Sequence, residues 1–195
     1  MAMLDCARRN FVGKSEFGRV FPATMSVHSF TRTVSLGRSA RDVFAWHERP
    51  SAFERLCPPW EAVRVLEASG GIQDGGRLVM RGKLGLFHGH CELNYFAYDE
   101  PWHFSSRMKE GPFAEWEHDH QFEQHGPAAC TLTDTVRYRL PLGWLGNLAH
   151  PWAQRRLDRL FAYRHEMLID DLEMAADYGA VRSMRFLVTG ASGLV

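Results

Sequence analysis

The sequence predicts an α+β domain in which a curved antiparallel sheet packs against one long C-terminal helix. Three observations lead to this fold class. Segments with the two-residue alternation of β-strands recur between 28 and 140, separated by short turn signals. Two short helical segments directly follow the first of these strands, and one long amphipathic segment follows the last. Short turns between successive strands are typical of a mostly antiparallel meander.

The first strand and the two short helices are defined by local signals. Apolar residues alternate with serine and threonine over 28–36, as in a half-buried strand. Ser39 has the residue type of an N-cap for a short helix that Pro50 ends. Residues 51–56 predict a second short helix, ended by Pro58 and the proline that follows it.

Six further strands and the long helix complete the prediction. The predicted strands are 61–68, 77–87, 89–98, 102–108, 113–124 and 129–140. Pro151 suits the first turn of the long helix, and Gly179 suits its C-terminal cap. One face of this helix carries apolar residues and one arginine at helical spacing: Leu157, Leu160, Phe161, Arg164, Leu168 and Leu172.

The composition excludes several classes of protein. Of 195 residues 45% are hydrophobic, and 23 Lys and Arg balance 23 Asp and Glu. Zero formal charge gives no electrostatic basis for binding nucleic acid. The sequence contains no apolar run of the roughly 20 residues that a membrane span requires. The four cysteines form no CxxC pattern, which favours free thiols in a reducing, cytoplasmic compartment.

The two ends of the chain differ from the region between them. Residues 1–26 predict a flexible extension, 27–178 the domain itself, and 179–183 a linker. Residues 184–195, MRFLVTGASGLV, resemble the first strand and turn of a Rossmann-type NAD(P)-binding domain.

This last segment predicts a vestigial nucleotide loop. Thr189, Gly190 and Gly193 have the spacing of the start of T-G-x-x-G-x-x-G, where glycine lets the backbone approach a pyrophosphate. The third glycine, the following helix and the ribose-binding acid are not in this sequence. We therefore expect no cofactor site in this chain, with NAD(P) implied only for a C-terminal partner domain.

Five stretches carry a resemblance to a known family. They are RLCPPWE at 55–61, GGIQDG at 70–75, GPFAEWEHDH at 111–120, YRLPLG at 138–143 and LFAYRH at 160–165. With the order of elements, they make 27–178 similar to the SRPBCC, START-like superfamily. The resemblance is specifically to the cyclase/dehydrase-like domain found N-terminal to NAD-dependent epimerase/SDR-like proteins. It implies the helix-grip fold, in which the sheet wraps around the long helix and a ligand cavity lies between them.

The most suggestive candidate site lies on the sixth predicted strand. Trp116, His118, His120 and Phe122 share one face of it. If this face looks inward, the two imidazoles lie in an apolar cavity, where they could orient a ligand or act as acid and base. If the histidines lie near the open rim, they are merely solvated or hydrogen-bonded. Further candidates for the cavity wall are Tyr95, Leu84, Arg164 and Leu168.

Two arginines interrupt apolar faces. Arg164 lies on the apolar face of the long helix and Arg32 on that of the first strand. Either could bind an anionic head group. We favour a structural role for both. The guanidinium would then either extend to solvent at the cavity edge or form an ion pair with a carboxylate such as Glu61 or Asp134.

A metal site shared by two His-x-His strands is not expected. Strand alternation places Cys91 toward the core, and therefore His88 and His90 on the outer face. His118 and His120 would then lie on the other side of the sheet, so the four imidazoles could not converge. The sequence predicts no metal.

Three functions remain open. The first is a module that binds a small hydrophobic molecule beside a Rossmann-type domain, in cis or in trans. The second is a polyketide cyclase or dehydratase that uses His118 and His120 in acid/base chemistry. The third is a ligand-free docking domain. No nucleophile elbow, P-loop or zinc signature identifies a reaction.

Overall fold

Seven antiparallel strands form one curved sheet around a long helix in the computed structural model, which describes residues 26–84, 87–142 and 144–178. The strands are β1 His28–Leu36, β2 Arg64–Ser69, β3 Arg77–Leu84, β4 Phe87–Asp99, β5 His103–Glu110, β6 Glu115–Gln124 and β7 Cys130–Arg139. Their order across the sheet is β1-β7-β6-β5-β4-β3-β2. The helices are α1 Ala40–His47, α2 Ala52–Arg55, α3 Trp144–Asn147 and α4 His150–Tyr178, and a short 3-10 helix spans Pro59–Glu61. The predicted α+β, helix-grip fold is confirmed.

The segment between β1 and β2 shows how local signals set the boundaries. The hydroxyl of Ser39 accepts a hydrogen bond from the backbone N–H of Asp42 at 3.2 Å, so Ser39 caps α1 as predicted. The prediction that a strand begins at residue 61 is wrong, because Pro59 starts a 3-10 turn and β2 begins only at Arg64. This turn buries Glu61, which pairs with Arg156 of α4.

The apolar core is divided into three clusters around the inner face of the sheet. One joins α1 to the C-terminal part of α4 and centres on Phe44, a second joins β1 and β7 to the N-terminal part of α4 around Phe161, and a third lies on β3 and β4. The rings of Phe30 and Phe161 are 5.3 Å apart and hold β1 against α4. Burial of such a side chain stabilises the fold by about 2–3 kcal/mol. The clusters surround a cavity between the sheet and α4.

The outer face of the sheet is polar. Glu92 on β4 lies between Arg77 on β3 and Lys109 on β5, with N–O distances of 3.1 Å and 2.9 Å. The hydrogen bonds from these two cations lower the pKa of Glu92 to about 2. Glu92 therefore lies on the outer face of β4, as the alternation around Cys91 predicts.

Glu92→Gln tests this ion-pair network through its pH dependence. A carboxyl group whose pKa is lowered by folding contributes stability above its unfolded pKa of 4.5, and this contribution is lost as the pH falls toward 2. We therefore expect Glu92→Gln to lower the urea midpoint at about pH 7 and to have a clearly smaller effect at about pH 3, where part of the contribution has been lost. Glu123→Gln, at an exposed position of β6, is the control. Equal effects of Glu92→Gln at both pH values would contradict the assignment.

Candidate functional site

A cavity of about 480 Å³ lies between the inner face of the sheet and α4. Cavities of roughly 300–1,000 Å³ with few polar groups are typical of sites for small molecules. Its walls come from β3, β4, β5, β6 and α4, with contributions from α2 and the 110–116 and 140–149 segments. Most of the lining is apolar, and examples are Leu56, Met80, Leu93, Phe113, Leu157 and Leu160.

A buried cluster of histidines surrounds one carboxylate at the wall of this cavity. Asp134 lies in the middle of β7 and is only 3% exposed. The Nε2 of His118 on β6 donates to Oδ1 of Asp134 at 2.8 Å. The Nε2 of His165 on α4 donates to Oδ2 at 2.6 Å. One carboxylate thus joins the sheet to the long helix.

His120 completes the cluster without a hydrogen bond. Its Nδ1 lies 2.8 Å from Oδ1 of Asp134, but the angles at the two atoms are not those of a hydrogen bond. Its ring stacks on Phe104 at 4.1 Å and lies 3.9 Å from the ring of His118. A second ring contact fixes His118, whose imidazole meets Phe161 edge-on at 5.1 Å. Both imidazoles are therefore held in place by aromatic neighbours.

Burial determines the charges of this cluster. It lowers the pKa of His120 to about 4, an effect that the neighbouring His118 increases. Burial also lowers the pKa of His118, against the opposing effect of Asp134. Burial alone would raise the pKa of Asp134, but the surrounding imidazoles hold it well below its usual range. Near neutral pH the cluster therefore contains an ionised carboxylate beside uncharged imidazoles of His118 and His120.

Other polar residues also line the cavity, and one of them, His47, has its ring 5.7 Å from that of His120. The Nε of Arg164 donates to the backbone carbonyl of Leu56 at 3.3 Å, and its guanidinium lies over Phe161. His47 on α1 is buried at the wall, where its Nδ1 is 2.8 Å from the carbonyl of Val43. Burial lowers the pKa of His47 to about 4.

The structure brings most of the predicted site residues together. Five of them line the cavity: Trp116, His118, His120, Tyr95 and Arg164. Phe122 and Leu168 are buried in the cluster around Phe44 and are not among the lining residues. Leu84 ends β3, and its side chain is outside the described part of the structure.

Other predicted residues are elsewhere or outside the description. Arg32 forms an ion pair with Asp158 at 2.6 Å, so the structural alternative applies to it, with a different carboxylate from those expected. His90 is exposed but is also among the residues around the cavity, and Arg81 donates to its Nε2 at 3.2 Å. The side chain of His88 lies outside the described residues. The description also leaves out the predicted linker and the nucleotide-type loop with Thr189, Gly190 and Gly193. Of the predicted N-terminal extension it includes only Ser26.

Sequence reasoning missed the centre of the site. Asp134 was considered only as a partner for an arginine, although it occupies an inward position of β7 between Leu132 and Val136. His165 was not considered, although it follows Phe161 by four residues and therefore lies on the buried face of α4. In both cases the sequence contains the same signal: an ionisable residue stands at a position where the strand alternation or the helical spacing requires a buried, apolar one.

Solved structures of similar fold support this architecture. An aromatase/cyclase, Zhui, from Streptomyces sp. R1128 aligns with a TM-score of 0.64 and 12% identity over 80% of this chain and 99% of its own. Norcoclaurine synthase from Thalictrum flavum aligns with a TM-score of 0.62 and 14% identity over 78% of this chain and 98% of its own. A nucleoside-diphosphate sugar epimerase from Corynebacterium glutamicum aligns with a TM-score of 0.62 and 22% identity. That match covers 77% of this chain but only 30% of the epimerase, in its N-terminal domain.

Sequence comparison gives the family. No curated protein sequence matches the chain. Among the described helices, none has the length and apolarity needed to cross a membrane. Residues 36–162 match the family model described as polyketide cyclase / dehydrase and lipid transport. The chain therefore belongs to this family, and the SRPBCC, START-like resemblance of its sequence is confirmed.

Proposed function

We propose that this domain binds a small hydrophobic molecule in the cavity between the sheet and α4. The observation that carries the proposal is the largely apolar cavity of about 480 Å³, whose few polar groups include the buried pair His118 and His120 on β6. Apolar walls supply binding energy, at about 25 cal/mol for each Å² of apolar surface removed from water. The few polar groups then determine how the ligand is oriented. The lipid transport in the family description agrees with such a role.

The polar groups around His118 and His120 indicate which part of the ligand lies beside them. The carboxylate of Asp134 disfavours an anionic group beside His118 and His120, because two like charges in a buried site repel each other. Uncharged imidazoles can donate to a carbonyl oxygen or accept from a hydroxyl group. A neutral oxygen of the ligand is therefore expected beside these histidines. An acidic group of the ligand would instead face Arg164.

The proposal includes a Rossmann-type partner. Residues 184–195 resemble the opening of an NAD(P)-binding domain. The epimerase from Corynebacterium glutamicum supports the same arrangement, because its N-terminal domain has the fold of this chain. The domain would then hold a hydrophobic substrate or product for an NAD(P)-dependent epimerase or reductase, in cis or in trans.

A cavity-filling variant tests ligand binding. Ser106 is buried on β5 opposite His118 and lines the cavity, so Ser106→Leu adds apolar volume inside it. We expect binding of the fluorescent probe N-phenyl-1-naphthylamine to weaken at least about tenfold, equivalent to about 1.4 kcal/mol. Ser29→Leu, an exposed position of β1, is the matched control and should leave binding unchanged. Equal binding by the wild-type protein and Ser106→Leu would place the probe outside the cavity and contradict the proposal.

An enzymatic role of the cyclase or dehydratase type is the second candidate. The hydrogen bond of 2.8 Å between His118 and Asp134 at the cavity wall favours it, since a carboxylate orients an imidazole for proton transfer. His118 or His120 would remove a proton from carbon next to a carbonyl group of the ligand and return it to oxygen.

Deuterium uptake distinguishes this candidate from binding alone. In D₂O, an aryl methyl ketone bound in the cavity should exchange its α-protons faster with the wild-type protein than in buffer. His118→Ala should reduce this enhancement by about 10²–10⁴-fold. His125→Ala, an exposed histidine that is 2.8 Å from Thr131, should not. Probe binding without any enhanced exchange would leave the domain as a binding module.

A further inference from the structure

We infer that His118, His120 and Asp134 form a binding site for a divalent first-row transition metal ion. One donor atom of each residue lies within 4.8 Å of the other two. Two imidazole nitrogens and one carboxylate oxygen are a donor set suited to such ions, and two histidines with one carboxylate are known to leave coordination positions open. The inference does not rest on the proposed function, because metal binding can be measured without any ligand in the cavity.

The distances around Asp134 agree with coordination. His118 Nε2 and His120 Nδ1 each lie 2.8 Å from the same oxygen, Oδ1 of Asp134. Adjacent ligands of an octahedral ion, at about 2.1 Å from the metal, are about 3 Å apart. Small movements of the three side chains would therefore place each donor at coordination distance.

His120 is the residue that most requires this explanation. Its Nδ1 is buried and has no hydrogen-bond partner in the described structure, although it lies 2.8 Å from a carboxylate oxygen. A buried polar atom without a partner costs about 1–3 kcal/mol. A metal ion between Nδ1 and Oδ1 would satisfy both atoms.

The neighbours of the three donors have the roles expected around a metal. His165 donates to Oδ2, the oxygen of Asp134 that His118 and His120 do not approach, and so orients the carboxylate. Phe104 stacks on His120, and Phe161 meets His118 edge-on. His118 and His120 line the cavity, so the remaining coordination positions of the ion would face its interior.

Metal binding to the tag-free protein, after removal of metals with a chelator, tests the inference. We expect one Co²⁺ ion per chain in equilibrium dialysis with metal analysis, together with a visible d–d absorption band. Zn²⁺ should compete for the same site. His120→Phe preserves the stacked ring but removes the donor, so it should abolish the Co²⁺ band. His165→Phe should weaken binding about 10- to 100-fold, as loss of a residue that orients a ligand does.

His47→Phe is the matched control. It replaces a buried histidine that is not one of the three donors and keeps an aromatic ring at the position 5.7 Å from the ring of His120, so it should bind Co²⁺ like the wild-type protein. Circular dichroism of each variant verifies folding. A folded wild-type protein that binds no Co²⁺ overturns the inference, and so does binding that His120→Phe leaves unchanged. Probe binding by the metal-free protein tests the hydrophobic cavity separately.

Discussion

The carboxylate of Asp134 lies on the inner face of the sheet, where water does not solvate it, so the surrounding chain must supply its partners. Ionised groups are buried in proteins only when such partners are present. Here they come from two elements far apart in sequence, His118 on β6 and His165 on α4. The position of α4 over the sheet and the rotamers of both histidines are thus tied to one side chain. Loss of that charge would leave buried imidazoles of both elements without their partner.

The uneven packing of α4 on the sheet explains where the cavity lies. Phe161 meets Phe30 on β1, and Leu157 and Ala153 join Val136 and Tyr138 of β7 in the same cluster. The inner faces of β3, β4 and β5, which lie farther across the sheet from β1 and β7, instead line the cavity. His118 and His120 on β6 lie at the border between the packed and the open side. Polar groups at this border can contact a ligand and still be oriented by the core.

The sequence predicted the fold well because its signals are local. The alternation of β6 placed Trp116, His118 and His120 on the inner face, and Ser39 marked the start of α1 correctly. The short helix α3 and the 3-10 turn at Pro59 were missed, since elements of three or four residues have no periodicity to detect. The cluster around Asp134 depends on the pairing of β6 with β7 and on the rotation of α4. Such contacts between residues 16 and 31 positions apart follow from tertiary structure alone.

An apolar cavity and a buried ionised cluster lie side by side in this chain. An apolar cavity is sufficient to hold a hydrophobic molecule, whereas a reaction requires charge to be placed beside it. In this chain the carboxylate and its imidazoles are immobilised by Phe104, Phe161 and His165 whether or not the cavity is filled. That preorganisation is costly for stability and is unnecessary for holding an apolar molecule. Orientation of a polar group of the ligand, a reaction or a bound metal ion would each account for that cost.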